Sequence, residues 1–218
     1  MSQVKGLCVM DVDGTLILEE VIDLLGREAG REAEIVQLTS QAMRGELNFE
    51  TSLRERVALL KGLPISAFEK VFNSIHLSPN ALEFISILQK HGILVGLVSG
   101  GFTPIVERLA KSLDIAYFSA NQLEVKGGFL TGKLVGHIIS PEVKQATLEQ
   151  WRKELQLPRA RTVAIGDGAN DLLMLKSAGL GVAFCAKEVL KKEIPNHVDK
   201  RDFFEVLPLI DCLERGKI

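Results

Sequence analysis

A short apolar run, Leu7-Cys8-Val9-Met10, leads without a break into Asp11-Val12-Asp13-Gly14-Thr15-Leu16. A run of this kind makes a strand buried on both faces, as in a parallel sheet covered by helices on each side. Alternate residues of an extended chain point the same way, so Asp11 and Asp13 share one side, and Gly14 allows a sharp turn after them. Two carboxylates at the carboxyl end of such a strand stand where open α/β sheets bind their ligands. So close together they repel and lose water, at a cost that a bound cation relieves. An ordinary strand followed by an Asp-rich turn is the alternative for this motif alone.

The 218 residues suffice for one domain, or one domain with an insertion. With 26 basic and 28 acidic residues the formal charge is −2, which gives no electrostatic footprint for nucleic acid or an anionic membrane. No apolar run is long enough to span a bilayer, and the opening residues lack a signal-peptide pattern. Cys8, Cys185 and Cys212 form an odd set without metal-ligand spacing. They read as reduced, mostly buried thiols of a cytoplasmic protein.

After Thr15 the periodicity turns helical. Leu18, Val21, Ile22, Leu25 and Ala29 share one side of a helix over residues 18–29, and a second helix over 31–44 is broken by Gly45. A third covers 49–60 with Phe49, Leu53, Val57 and Leu60 as its stripe, and a fourth runs from Pro64 to Ile75. Residues 16–78 hold no strand-like run and read as a helical cap inserted into an α/β core of residues 1–15 and 79–218. Arg56 falls within the apolar stripe of the third helix, whereas Arg54 points away. An arginine there either snorkels to water or awaits an anion, such as a ligand carboxylate, that suits its forked donors.

From residue 79 helices and strands alternate, which predicts a parallel sheet. A helix over 80–91 precedes the strand Ile93–Val98, which ends in Ser99-Gly100-Gly101, and Thr103-Pro104 reads as an N-cap with proline at the first helical position. A hydroxyl and two glycines at that join suit a phosphate, whose oxygens backbone N–H groups can approach closely. Ile115–Ser119 reads as another strand, and Gly127-Gly128 as the turn of an edge hairpin. Ser140 and Pro141 open a helix that carries Lys144 in its first turn, a place where the helix dipole disfavours a cation. Thr162–Ile165 is a further strand and ends in Gly166-Asp167-Gly168-Ala169-Asn170-Asp171. If helix begins at once, Asp167 and Asp171 lie on one face. A strand at Leu180–Phe184, a helix near 187–193, a short edge element at 197–199 and a final helix near 203–213 complete the chain.

Taken together, Asp11-Val12-Asp13-Gly14-Thr15, Ser99-Gly100-Gly101, Lys144 and Gly166-Asp167-Gly168-Ala169-Asn170-Asp171 resemble, in order and in setting, the four motifs of the haloacid dehalogenase superfamily. The resemblance implies a Rossmann-like, doubly wound, mostly parallel α/β sheet with a helical cap inserted after the first strand. Within the superfamily the chain is most similar to the phosphoserine phosphatase family, through Glu20, Met43, Phe49 and Arg56 and the full wording of the last motif. Val12 and Gly14 depart slightly from it, where members often carry Phe and some carry Ser.

The resemblance implies a Mg²⁺-dependent phosphomonoesterase that hydrolyses phosphoserine through an aspartyl-phosphate, the last step of serine biosynthesis. Asp11 would be the nucleophile and Asp13 the general acid and base. The Asp11 carboxylate, the Asp13 carbonyl and Asp167 would hold Mg²⁺, with Asp171 behind them. Ser99, Gly100, Lys144 and Asn170 would hold the phosphoryl group. Glu20 would take the substrate ammonium and Arg56 its carboxylate, with Met43 and Phe49 closing over them. A monomer or homodimer is expected, with a small molecule as partner. The rivals are a phosphatase or phosphotransferase for another small phosphomonoester, and a Mg²⁺-binding regulatory module that takes up phosphate at Asp11. A plain nucleotide-binding fold lacks its glycine fingerprint after the first strand.

Overall fold

A computed structural model describes residues 4–43 and 46–214, the side chains of 42, 43 and 211–214 excepted. The Met43 side chain, Gly45 and the Cys212 side chain thus lie outside the described residues. Strand β1 (Gly6–Met10) is buried at every position. Its residues alternate between two cores, Cys8 and Met10 on one face of the sheet and Leu7 and Val9 on the other. That two-sided burial is what a central parallel strand requires.

The other strands are β2 (Ile93–Phe102), β3 (Tyr117–Lys126), β4 (Phe129–Val135), β5 (Thr162–Gly166), β6 (Leu180–Phe184) and β7 (His197–Val198). They form one sheet in the order β4-β3-β2-β1-β5-β6-β7. Every neighbouring pair is parallel except β3 and β4. Met10 pairs with Leu97 of β2 and with Ile165 of β5. This register brings the carboxyl ends of three adjacent strands to one level, and the order changes direction there. Open sheets bind ligands at such a switch point.

Helices α1 (Val21–Glu28), α2 (Glu32–Met43), α3 (Phe49–Ala58) and α4 (Ala67–Asn73) separate β1 from α5 (Ala81–Lys90). Among the described residues this segment contributes no strand to the sheet, only isolated bridges from Ile17 to Leu77 and from Pro64 to Phe129. The first expected helix begins later than its periodicity suggested. Leu18 N–H donates to His76 O (3.0 Å), so the chain stays extended there and Leu18 is exposed. Helices α6 (Thr103–Ser112), α7 (Pro141–Glu154), α8 (Leu172–Ser177), α9 (Glu188–Glu193) and α10 (Leu207–Glu214) follow.

Gly127 and Gly128 adopt φ of 59° and 85°. These values suit the two-residue turn that joins Lys126 to Phe129. The hairpin does more than finish the sheet edge. Gly62 N–H donates to Leu130 O (2.8 Å), Leu130 N–H to Leu63 O (2.9 Å) and Ile65 N–H to Gly128 O (3.0 Å), which ties the helical segment to the sheet. No described helix is long and apolar enough to cross a membrane.

Candidate active site

Asp11 and Asp13 leave the end of β1 with extended backbone, ψ of 162° and 125°, and Gly14 then turns at φ 72°. A Cβ on Gly14 would stand 3.0 Å from the Asp167 carboxylate, so glycine is required there for space as well as for backbone. Thr15 Oγ1 donates to Asp167 Oδ1 (3.0 Å) and Arg201 Nη1 donates to Gly14 O (2.7 Å), which fastens this turn from two sides.

Lys144 is wholly buried. Its ammonium donates to Asp11 Oδ1 and to Asp171 Oδ1, the latter at 2.6 Å. Burial pulls its pKa down, but Asp11 and Asp171 outweigh burial and leave it raised, so the lysine stays charged. The N-terminal position on α7 is tolerated because Ser140 caps the helix, accepting from Val143 N–H at 3.3 Å, and because two carboxylates face the amine.

Asp11, Asp167 and Asp171 each offer an oxygen within 4.8 Å of the others. The sequence places Asp167 and Asp171 together on condition that helix starts at once. Instead Gly168 is extended, and Gly168 N–H donates to Asp171 Oδ2 (3.1 Å), so a tight turn brings the two carboxylates together. Three carboxylates against the single ammonium of Lys144 leave two negative charges when all are ionised, with Asp11 and Asp171 buried and Asp167 half-buried. Burial pushes Asp11 and Asp167 above the ordinary carboxylate range, and their acidic neighbours add to it. An all-oxygen, doubly negative corner fits a hard divalent cation.

Asp13 differs from these. Its Oδ1 is buried and finds no partner among the described residues. Burial raises its pKa, and the charges of Glu20 and Asp11 raise it further, which favours the protonated acid. A Cβ on Gly101 would lie 2.7 Å from Asp13 Oδ2 and 3.0 Å from Ser99 Oγ, so glycine leaves room for both groups. Ser99 Oγ accepts from Gly101 N–H (2.8 Å). Its own proton is therefore available to an incoming anion.

One cavity of about 830 Å³ joins this floor to the helical segment. Asp11, Asp13, Gly100, Asp167 and Asn170 line it from the sheet, and Glu20, Phe49 and Arg56 from the helices. Ser99 and Lys144 lie just beneath, fully buried. Arg56 lines the cavity, and its guanidinium donates from Nε to Ser52 O (3.3 Å) and from Nη1 to Thr39 Oγ1 (3.4 Å). Glu20 precedes α1 and faces the same space. Burial, with the charges of Asp167 and Asp23, pushes its pKa to about 7, while Arg56 and Lys187 pull the other way.

Sequence reasoning passed over Asp23, Thr39 and Lys187, which also line the cavity. Asp23 had a signal, lying three residues beyond Glu20 on one helical face. Thr39 and Lys187 had none. Thr103 does not cap α6. Its hydroxyl donates to Ala120 O (3.2 Å) and Asn121 O (3.0 Å), because β2 runs straight into the helix.

A family model described as haloacid dehalogenase-like hydrolase matches residues 8–176. The chain is 53% identical over 217 residues to a phosphoserine phosphatase of Streptococcus thermophilus, covering 100% of both chains. It is 44% identical over 210 residues to one of Methanocaldococcus jannaschii, covering 96% of this chain and 100% of the other. Among solved structures it resembles a substrate-bound phosphoserine phosphatase complex with a TM-score of 0.89 at 44% identity, covering 94% of this chain and 98% of that one. A phospho-aspartyl intermediate analogue of phosphoserine phosphatase matches with the same values.

Proposed function

This chain belongs to the haloacid dehalogenase-like hydrolase family, and we propose that it hydrolyses O-phosphoserine to serine and inorganic phosphate through a phosphoryl group carried on Asp11. The observation that carries the reading is the content of one cavity. It brings an acidic floor, Asp11, Asp13 and Asp167, together with an acid and a guanidinium, Glu20 and Arg56, from the helical segment. A small zwitterion with a phosphate tail has the charges to match each of these. The named relatives support the same substrate.

Asp11 and Asp167, with the main-chain carbonyl of Asp13, would hold Mg²⁺, and Asp171 would orient Lys144 from behind. When bound, the ion offsets the repulsion between a carboxylate and a phosphate dianion. Asp11 attacks phosphorus and forms an acyl phosphate as the bond from phosphorus to the serine oxygen breaks. Asp13 gives its proton to that oxygen. Asp13, now a carboxylate, takes a proton from water as the water oxygen attacks phosphorus. The bond from Asp11 to phosphorus then breaks, phosphate leaves and the Asp11 carboxylate returns. Ser99, the Gly100 amide, Lys144 and Asn170 hold the phosphoryl oxygens as charge shifts.

We read residues 16–78 as a cap over a core of 1–15 and 79–218, with Phe49 closing on the substrate. Free thiols at Cys8 and Cys185 are in keeping with a cytoplasmic setting. The test is phosphate release across a panel of small phosphomonoesters with and without Mg²⁺. Phosphoserine should give the highest kcat/KM, and Asp11→Asn should take up no covalent phosphate. A labelled Asp11→Asn protein, or preference for an ester lacking the amino-acid head, would refute the reading.

A further inference from the structure

Asn121 is a polar side chain buried to 1% exposure in the body of β3, away from the cavity lining. Such a group persists in a dry place when its hydrogen bonds are complete. Both ends of its amide are used. Nδ2 donates to Gly100 O (2.8 Å), and Oδ1 accepts from Ile139 N–H (2.9 Å).

The partners give these bonds their meaning. The β2–β3 ladder runs in register to Val98 and Ser119 and resumes at Phe102 and Asn121. Three residues of β2, Ser99 to Gly101, therefore lie opposite Ala120 alone. The surplus bulges out as the loop that ends at the cavity floor, a common way for a strand to re-aim groups at a site. Gly100 C=O and Gly101 N–H belong to one peptide unit. Asn121 holds its carbonyl, and Ser99 Oγ accepts from its N–H (2.8 Å). Donation to a peptide carbonyl strengthens the N–H of the same unit, and the chain of bonds runs on to the Ser99 hydroxyl. At its other end the same amide grips Ile139, next to the Ser140 cap of the helix that carries Lys144.

We propose that Asn121 is a positioning residue that fixes the Gly100–Gly101 peptide, and through it the Ser99 hydroxyl, in the geometry that receives the phosphoryl group. The proposal rests on the phosphomonoesterase reading above. It touches no reacting atom, so its effect is confined to the phosphate end of the cavity. As a carboxylate, Asn121→Asp keeps an acceptor for Ile139 N–H and loses the donor to Gly100 O; the protonated acid would keep both, so the variant is compared with wild type across pH and its loss should deepen as pH rises.

The test compares wild type and Asn121→Asp for kcat, for inhibition by inorganic phosphate and by L-serine, and for melting temperature. Asn121→Ala, which removes both bonds, takes its place if the aspartate variant does not fold, and the contrast between phosphate and serine inhibition then decides. We expect kcat to fall about tenfold or more, phosphate inhibition to weaken by a similar factor, and serine inhibition to stay within about twofold. In a Ser99→Ala background the same substitution should cost little more, because the two groups act through one peptide. A lowered melting temperature with unchanged kcat and phosphate inhibition would overturn the proposal, as would equal losses at the phosphate and serine ends. If wild type hydrolyses p-nitrophenyl phosphate but not phosphoserine, the substrate reading fails while kcat and phosphate inhibition still judge Asn121.

Discussion

Lys144 Nζ lies 2.6 Å from Asp171 Oδ1 with both side chains fully removed from solvent, and the same ammonium also holds Asp11. A buried cation shared by two acids from distant parts of the chain makes the site a structural element as well as a reactive one. Removing one member of such a set leaves the others charged and unpaired.

Lys144→Ala should therefore cost about 3–5 kcal/mol of folding stability in addition to activity. Urea unfolding of the metal-free protein measures it. A loss below about 1 kcal/mol would mean that Asp11 and Asp171 find other compensation.

Divalent metal should stabilise the protein independently of turnover, since it meets the two uncompensated charges of Asp11, Asp167 and Asp171. At 100 times its dissociation constant the gain is about 2.7 kcal/mol. Thermal unfolding with EDTA and with added Mg²⁺ checks this. A chelated enzyme that melts at the same temperature and keeps its turnover would contradict it.

Arg56→Ala should raise KM for phosphoserine by about 10- to 150-fold, the worth of a charge-assisted hydrogen bond of roughly 1.5–3 kcal/mol. A phosphate ester without a carboxylate should be nearly indifferent. Steady-state kinetics with both esters decide, and equal changes would remove Arg56 from substrate recognition.

Glu20 titrates near 7 in the free protein. The carboxylate is the form that attracts an ammonium, so KM for phosphoserine should rise as pH falls through 7, beyond the rise due to the substrate's own phosphate. Glu20→Gln should flatten that extra rise. Stability carries the opposite sign. With its folded pKa above the unfolded value, Glu20 favours the folded state at low pH, and this contribution is lost as pH climbs through about 7. Denaturation of the free protein and of Glu20→Gln across pH 5–8 should diverge in that direction. Parallel curves would argue that Glu20 is not perturbed.

Features set by short-range rules were legible in the sequence. The buried run of β1, the turn at Gly14, the Gly127-Gly128 hairpin and the Ser140 cap each follow from a few adjacent residues, and each is present. Features decided by distant partners were not. Leu18 has helical spacing, but its N–H is taken by His76 across the segment. Ile115 reads as the start of a strand, yet its N–H closes the end of α6 on Ala110 O (2.8 Å), and β3 begins at Tyr117. Thr103 has a cap's chemistry but spends its hydroxyl on the neighbouring strand. Within the candidate site, acids and glycines stood out because they sit at strand ends. Asn121 and Thr39 did not, because a neutral side chain inside an element announces nothing until its partner is seen.

The bonds that join Gly62, Leu63 and Ile65 to the β3–β4 hairpin fasten the chain just past α3, the helix that carries Phe49 and Arg56. Gly132 of β4 comes so close that a Cβ there would stand 3.0 Å from Ala58 O and 3.1 Å from the Lys61 side chain. The sheet edge is thus a buttress for α3, although no residue of the hairpin lines the cavity.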